Sequence, residues 1–371
     1  MTKKRNIPIS IFISFVAVVS ALLVEANVLF YWAIVDIFTI TNIDYRFIIG
    51  VILAIMSSGF IVMLIIEKYS TGIFVRFFYT ITSIWTGMFV YFFMAAAIYD
   101  VLNLFMKNPQ IIGFPLFAAA LVIGIYGLIH GRKIAVKKIN VAIPGMPENW
   151  KGRTAVWMSD LHLGSVRGEQ FAEKVMQISN SLSPDVVFIG GDLYDGTRAP
   201  NPVVIAEPLE KLSTRFGVFY ISGNHEEFGD AEQFFDAVKL LRIKILDDEM
   251  INIEGLQIIG VDYSNNAKKE NFKKNLESII FDRSKASILL KHEPKDLDIA
   301  AGERISFQIS GHTHDGQQWP FNYLTDLITK GYSYGLKNYG LMQIYISSGT
   351  GGWGPPIRVG SDCEIVHITF I

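Results

Sequence analysis

The hydrophobic pattern of the chain changes once, near residue 130. Before that point, four nearly continuous apolar runs are separated by short polar segments, at residues 9–34, 47–66, 77–98 and 111–130. Each run reaches the ~20 residues that a helix needs to cross about 30 Å of hydrocarbon. The first run is longer than the apolar core of a signal peptide, which has about 7–15 residues. The pattern therefore predicts an N-terminal unit of four transmembrane helices.

After residue 131, short β-like runs alternate with amphipathic stretches. Runs such as TAVWM, VVFIG and SILL indicate buried strands, and GEQFAEKVMQISNSL and DAEQFFDAVKLLR indicate helices. This alternation is typical of an α/β domain with layered sheets. KIAVKKINVAIPG predicts a strand pair that leaves the membrane. We expect a transmembrane anchor over 1–135 and a second domain over 136–371.

The distribution of charged residues indicates that the first part of the chain lies in lipid and the second part in water. Half of the chain is hydrophobic, and only twelve of its charged residues precede residue 131. The net charge of −2 gives no basic excess, so no nucleic-acid partner is indicated. Cys363 is the single cysteine, which excludes an intramolecular disulfide. Lipid is the expected partner of the first part of the chain.

Lysine and arginine in the polar segments predict the orientation of the anchor. Nine lie at the amino terminus (including Lys3), in the second loop (including Lys68) or after the fourth run, whereas the first and third loops hold only Arg46 and Lys107. This bias predicts a multi-pass protein of the cytoplasmic membrane with its second domain in the cytoplasm. Glu25 lies near the outer end of the first run. It belongs either to a polar path or headgroup contact, or to the interface as an ordinary polar residue.

Five strand candidates of the second domain end in Asp, Asn or His. The carboxyl ends of strands are where ligand sites form in open α/β sheets. Imidazole, carboxylate and amide ligands without thiolates suit Mn²⁺, Fe²⁺ or Zn²⁺, and there are too many for one four-coordinate ion. Two ions form a clamp for phosphoester cleavage. Glycines beside these residues would allow sharp turns and a close phosphate; they are Gly190, Gly191, Gly223 and Gly311.

The same residues form five blocks in a recognisable order. They are D-x-H at 160–162, G-D-x-x-D at 191–195, G-N-H-E at 223–226, His292, and G-H-x-H at 311–314. Together they resemble the calcineurin-like metallophosphoesterase family, over about 154–371. The preceding multi-span anchor also resembles a bacterial membrane-bound branch that includes enzymes cleaving the pyrophosphate of UDP-2,3-diacylglucosamine. The resemblance implies an αββα sandwich of two stacked sheets flanked by helices.

The resemblance also implies a dinuclear site and a role for each residue. Asp192 would bridge two divalent ions, with Mn²⁺ favoured and Fe or Zn as alternatives, and a metal-bridging hydroxide would attack phosphorus. His225 would not bind a metal but would lie near the leaving-group oxygen or a nonbridging phosphate oxygen, oriented by Asp195. Arg358, in the glycine-rich tail, is either a substrate-phosphate contact or a surface arginine in a turn. The remaining ligands would be Asp160, His162 and His314 for the first ion, and Asn224, His292 and His312 for the second.

Two features after these motifs leave alternatives open. Asp315 stands where the membrane-bound branch often has glycine, and it is either an acceptor for a histidine or simply solvated. The aromatic stretch 319–335 either contacts lipid or packs beneath the site.

The expected function is hydrolysis of a phosphoester or pyrophosphate bond by a membrane-anchored enzyme. The favoured substrate is a phosphorylated lipid or a lipid-linked nucleotide sugar. The alternatives are a phosphatase or phosphodiesterase for a soluble nucleotide or a phosphoprotein, and a membrane sensor or transporter with a regulatory phosphoesterase-like domain.

Overall fold

The computed structural model describes residues 9–67, 69–196, 201–228 and 231–371, with only the backbone described for 9–22 and 228. The chain forms two compact units. The first comprises Met1–Met63 and Ile81–Tyr126, and the second comprises Leu64–Thr80 and Gly127–Ile371. The boundary at residues 135 and 136 stays a prediction.

Long helices account for the apolar part of the chain. They are α1 (Ile9–Ile37), α2 (Ile43–Glu67), α3 (Ile73–Asn103) and α4 (Gln110–His130). Among the described residues, α2, α3 and α4 are long and apolar enough to cross a membrane, which indicates membrane association. The fourth span predicted in α1 is not established, because side chains 9–22 lie outside the described part. The predicted orientation likewise uses Lys3 and Lys68, which are not among the described residues.

An aromatic cluster holds the first unit together. Phe30 stacks on Phe117 and meets Phe89 edge to face, with ring centroids 5.6 Å apart in both pairs. Glu25 is exposed on α1, which does not favour a polar path through the interior of this unit.

The second unit contains two six-stranded sheets. The first sheet has the order β1-β12-β2-β3-β4-β5 and the second β10-β11-β9-β8-β7-β6. The strands are β1 (Ile134–Val141), β2 (Thr154–Met158), β3 (Val186–Gly190), β4 (Val218–Ile221), β5 (Lys244–Ile245), β6 (Glu249–Ile253), β7 (Leu256–Gly260), β8 (Ser287–Leu290), β9 (Phe307–Ser310), β10 (Gly335–Tyr339), β11 (Met342–Ile346) and β12 (Cys363–Phe370).

Helices lie between the strands along the chain, and several of them pack against the sheets. They are α5 (Glu169–Ser181), α6 (Pro202–Ala206), α7 (Asn224–Phe228), α8 (Ala231–Leu240), α9 (Tyr263–Asn266), α10 (Lys269–Ser278), α11 (Leu297–Gly302) and α12 (Phe321–Ile328). Trp157 and Phe188 of the first sheet pack with Ile288 and Phe307 of the second in one buried cluster between the sheets. The predicted α/β domain with two sheets is confirmed.

The pairing of β1 corrects one prediction. KIAVKKINVAIPG was expected to form a strand pair, but it forms the single strand β1, which runs parallel to the C-terminal strand β12. Parallel neighbours cannot be joined by a tight turn, so the partner must come from elsewhere in the chain. Each sheet contains a set of parallel strands whose carboxyl ends lie at the same end of the sheet. These strands are β2, β3 and β4 in the first sheet, and β7, β8, β9 and β11 in the second.

Candidate metal centre

Each predicted ligand lies just beyond the carboxyl end of a strand. Asp160 and His162 follow β2, and Asp192 follows β3. The others leave the neighbouring parallel strands in the same way: Asn224 after β4, His292 after β8, and His312 and His314 after β9. Because the strands are parallel within each ladder, the chain delivers all seven side chains to one region of the second unit.

The first group of ligand atoms has the spacing of a metal site. His162 Nε2 lies 3.2 Å from His314 Nε2, and His314 Nε2 lies 3.6 Å from Asp160 Oδ1. Ligand atoms bound about 2.1 Å from one ion are separated by roughly 3.0–3.5 Å. These three side chains form one of the groups able to hold an ion. The spacing therefore fits a divalent cation at this point.

A second group shares a carboxylate with the first. His292 Nε2 lies 3.2 Å from Asp192 Oδ2, from Asn224 Oδ1 and from His312 Nδ1. The same Asp192 oxygen is 3.9 Å from His162 Nε2, in the first group. A carboxylate between two such groups can bridge two ions, so the arrangement fits a dinuclear centre better than a single ion.

Burial and mutual charge shift the pKa values of these groups. Burial lowers the pKa of His162 and of His312 to about 4, which favours the neutral imidazole that binds metal. Burial raises the pKa of Asp160. It would also raise that of Asp192, but the surrounding histidines hold it well below its usual value. Burial opposes protonation of His292, yet the Asp192 carboxylate raises its pKa to about 10.

Five of the seven residues have a left-handed backbone conformation, in which Asp and His are enriched among non-glycine residues. Their φ angles are 55° at Asp160, 49° at His162, 50° at Asp192, 71° at His312 and 51° at His314. The turns after the strands are thus sharp, and they direct successive side chains toward one point.

Gly223, one of the glycines predicted to allow a phosphate to come close, lies against another ligand loop in the turn after β4. A Cβ atom on Gly223 would lie 2.2 Å from Asp192 Oδ1. This glycine lets one ligand loop approach the shared carboxylate of another.

Hydrogen bonds from the backbone fix two imidazole rings. His292 Nδ1 donates to the Gly190 carbonyl at 2.8 Å, which leaves Nε2 directed at the ligand group. His225 Nδ1 donates to the Asp195 carbonyl at 3.0 Å. The Asp195 carboxylate itself lies 3.5 Å from His162 Nδ1. Asp195 thus orients His225 through its backbone, and its side chain faces a proposed metal ligand instead.

Arg358 does not occupy the place of a substrate contact. Its side chain has no exposed surface, and its guanidinium donates to the carbonyls of His314 (2.7 Å), Ser348 (2.8 Å) and Gly351 (2.7 Å). With these donors committed to the backbone, the predicted contact with a substrate phosphate is not available in this conformation. Arg358 instead anchors the loop that carries His314. Asp315, in the same loop, is half-buried, and burial raises its pKa to about 6.

Glu226 is a residue of the site that the sequence analysis did not single out. Its buried carboxylate accepts hydrogen bonds from the backbone N–H groups of Gly223 (2.8 Å), Asp192 (3.0 Å) and Tyr194 (3.1 Å). It therefore ties the loop after β3 to the loop after β4. Its position at the end of the G-N-H-E motif was the available signal.

Tyr79 of α3 is the second unforeseen neighbour. Burial raises the pKa of the Asp195 carboxyl group to about 6, and His225, Arg167 and the Tyr79 hydroxyl favour its charged form. Tyr79 is fully buried and belongs to the same compact unit as the metal centre. No motif in the third apolar run indicated this role.

Comparison with known proteins agrees with this geometry. The family model for calcineurin-like phosphoesterase matches residues 154–316. An uncharacterized metallophosphoesterase of Helicobacter pylori is 33% identical over 220 residues, which are 58% of this chain and 59% of that protein. One from Aquifex aeolicus is 30% identical over 257 residues, 67% of this chain and 97% of that protein.

A Danio rerio relative is described as a transmembrane protein with metallophosphoesterase domain. It is 29% identical over 263 residues, which are 67% of this chain and 60% of the relative. The matched region spans about six tenths of the Helicobacter and Danio relatives. Because the Aquifex relative is 30% identical and is matched over nearly its whole length, the chain belongs to the calcineurin-like metallophosphoesterase family.

Proposed function

We propose that this protein is a membrane-anchored hydrolase that cleaves a phosphoester or pyrophosphate bond of a lipid or a lipid-linked nucleotide sugar, such as UDP-2,3-diacylglucosamine. The observation that carries the proposal is which segments of the chain form the second unit. It contains all seven proposed ligands together with Leu64–Thr80 and the last turn of α4, which include ends of candidate membrane spans. A site beside such ends meets lipid substrates at high local concentration.

The proposed ligand assignment follows the two groups of atoms. Asp192 is shared, and its Oδ2 atom has neighbours in both groups. The mixture of carboxylate, amide and imidazole ligands favours Mn²⁺, with Fe²⁺ or Zn²⁺ as alternatives. When bound, such ions neutralise phosphate charge and lower the pKa of water. The first ion would be held by Asp160, His162 and His314, and the second by Asn224, His292 and His312.

His225 is the proposed proton donor to the departing oxygen. Its backbone N–H donates to Asp192 Oδ1 at 2.8 Å, and its Nδ1 is bound to the Asp195 carbonyl, so the ring is held beside the ligands by two contacts. Trp353 lies against its ring with centroids 5.8 Å apart. Such positioned acids contribute about 10²–10⁴-fold. His225→Asn should therefore slow esters with basic leaving groups far more than nitrophenyl esters, and equal losses would contradict the assignment.

The proposed location of the catalytic unit is the cytoplasmic side of the membrane. Support comes from the exposed Arg132, Lys133, Lys137 and Lys138, which follow α4 directly. A protease site added after Ile371 tests the orientation. It should be cut only after sealed cells are opened, and cleavage in intact cells would reverse the assignment.

The function is tested by mass spectrometry of lipid and nucleotide-sugar extracts incubated with detergent-purified, Mn²⁺-loaded protein. Asp192→Asn is the matched control, with its fold checked by circular dichroism. We expect one lipid species to disappear with release of UMP or phosphate, and only with the unchanged protein. Cleavage of water-soluble esters alone would remove the lipid part of the proposal. Metal binding without any turnover would favour a regulatory domain.

A further inference from the structure

Helix α12 directs its apolar side chains away from the domain that carries it. Asn322, Thr325 and Thr329 are the partly covered positions, and they recur at the three- and four-residue spacing of one helix face. The Asn322 Oδ1 atom is buried, and Thr329 Oγ1 donates to the Thr325 carbonyl at 2.7 Å. The exposed positions on the other side are apolar, namely Phe321 (43%), Leu324 (53%), Leu327 (76%) and Ile328 (70%).

This polarity is the reverse of that of an ordinary surface helix. A helix of a soluble domain turns its apolar stripe toward the core and its polar side toward water. Here Trp319 and Tyr323 extend the outward surface, so that six large apolar side chains are exposed within ten residues, the 319–328 patch. Exposed apolar surface of this kind marks contact with a partner or a membrane.

Hydrogen bonds connect the start of the patch to the last turn of α4. The Trp319 N–H donates to the Val359 carbonyl at 2.7 Å. One residue earlier, the Arg358 N–H donates to the Gly127 carbonyl at 3.0 Å. The segment 357–359 therefore lies between the beginning of α12 and the end of a candidate membrane span. All of these residues belong to the second unit.

A second contact connects the segment after α12 to the chain that leaves α4. Lys137 Nζ of β1 lies 5.9 Å from the centre of the Tyr334 ring. β1 begins only four residues after α4 ends. Exposed basic side chains accompany both segments, with Lys330 after α12 and Arg132 and Lys133 before β1. Cations beside an apolar surface suit the anionic headgroup layer of a membrane.

We propose that the 319–328 patch lies in the headgroup and upper acyl layer of the bilayer, as an interfacial helix beside the metal centre. The proposal rests on the anchoring by α2, α3 and α4 in the proposed function, and it adds a second, peripheral contact with lipid. His314 is joined to α12 by a few residues, and the α12 backbone packs on Gly316, where a Cβ atom would lie 2.4 Å from Asn322 N. The ligand loop and the lipid contact are therefore one connected segment, which places the reacting phosphate at headgroup depth.

The test measures membrane depth and does not depend on turnover. Leu327→Cys and, in a separate protein, Leu324→Cys are labelled with bimane in the full chain, where the native Cys363 is buried. The proteins are reconstituted with phosphatidylcholine and phosphatidylglycerol, with nitroxide-labelled lipid added at the headgroup or mid-chain.

Two further variants serve as references. Leu240→Cys is the matched control, because Leu240 is 66% exposed on α8 beside β5, the strand at the opposite edge of the sheet from β1. Val122→Cys reports on α4, where the side chain is 64% exposed.

The expected result is a severalfold loss of bimane fluorescence with headgroup-labelled lipid at positions 324 and 327, and little loss at 240. Position 122 should respond to the mid-chain label. If the label at position 122 is quenched while the labels at 324 and 327 are as little quenched as that at 240, the proposed interfacial contact is wrong and the proposed membrane anchor is supported. If 122 does not respond, the anchor itself fails. Protection of 324 and 327 from lipid and aqueous quenchers alike, with cross-linking between copies, would overturn the proposal in favour of a protein interface.

Discussion

At the scale of single residues, the ligand loops depend on two buried side chains that are not among the proposed metal ligands. Glu226 accepts hydrogen bonds from three backbone N–H groups, and Arg358 donates hydrogen bonds to three backbone carbonyls. Each replaces the hydrogen bonds that a turn cannot make within itself, since buried backbone groups must be paired. The positions of Asp192 and His314 therefore depend on residues that a list of ligands omits.

Arg358→Lys tests this positioning role. Lysine keeps the charge but cannot reach all three carbonyls, and each carbonyl left unpaired costs about 1–3 kcal/mol. We expect the free energy of unfolding to fall by about 2–5 kcal/mol, together with a loss of bound metal measured by elemental analysis. A raised KM with normal metal content and normal stability would instead restore the substrate contact predicted from the sequence.

His292 predicts a pH dependence of metal binding. Its pKa of about 10 in the metal-free protein means that it carries a proton at pH 7. A metal ligand must be neutral, so binding releases this proton, and the apparent affinity should rise as the pH increases toward 10. Calorimetric titration with Mn²⁺ in buffers of different ionisation enthalpy measures the proton count. Binding without proton release at pH 7 would contradict this assignment.

The chemistry of the site was more predictable than its supports. Asp160, His162 and the other proposed ligands could be identified from the sequence, because the spacing of a motif reflects the chemical groups that a site needs. The side chain of Arg358 points inward, and that depends on packing against loops distant in sequence. The same holds for Tyr79, whose neighbour Asp195 belongs to another part of the chain. Spacing along a sequence carries no information on such contacts.

At the scale of elements, the turn after each parallel strand is the unit that builds the centre. The alternation of strands and helices along the sequence predicted these turns correctly. The pairing of β1 with β12 was missed, because local periodicity predicts that a strand exists and does not identify its partner. Sheet order is fixed by contacts between the ends of the domain.

Gly223→Ala tests the tightness of the turn after β4. The added Cβ would lie 2.2 Å from Asp192 Oδ1 and 2.5 Å from Asp192 N, so the shared carboxylate must move. A displacement of about 1 Å can reduce activity about 10²-fold, and we expect at least that loss together with reduced metal content.

Gly302→Ala is the control for this substitution. Gly302 ends α11, and a Cβ there would meet nothing within 4 Å. Alanine should be neutral or slightly stabilising at this position. Equal effects of the two substitutions on metal content, measured on proteins of the same purity, would show that the close approach at Gly223 is not the cause.

At the scale of the whole molecule, the second unit is not continuous along the chain. It includes Leu64–Thr80 as well as Gly127–Ile371. Removing the candidate membrane spans by cutting before residue 132 removes Tyr79 from Asp195 and the Gly127 carbonyl from Arg358. The unit so produced is incomplete at the metal centre and at the segment that supports α12.

We therefore expect the fragment 132–371 to unfold several degrees below the full chain in the same detergent, followed by tryptophan fluorescence. It should also self-associate without detergent, because the 319–328 patch stays exposed. A monomeric fragment with an unchanged midpoint of thermal unfolding would show that residues 64–80 and 127–131 do not contribute to the stability of the second unit.

The left-handed conformation at five of the seven proposed ligands has an energetic consequence. Such residues cost about 1 kcal/mol or more each, so five of them store about 5 kcal/mol of strain. That is comparable to the whole stability of many domains, about 5–15 kcal/mol. Ions that bind only the folded chain would stabilise it and offset this cost. Removing such ions with a chelator should therefore lower the melting temperature of the protein as well as its activity.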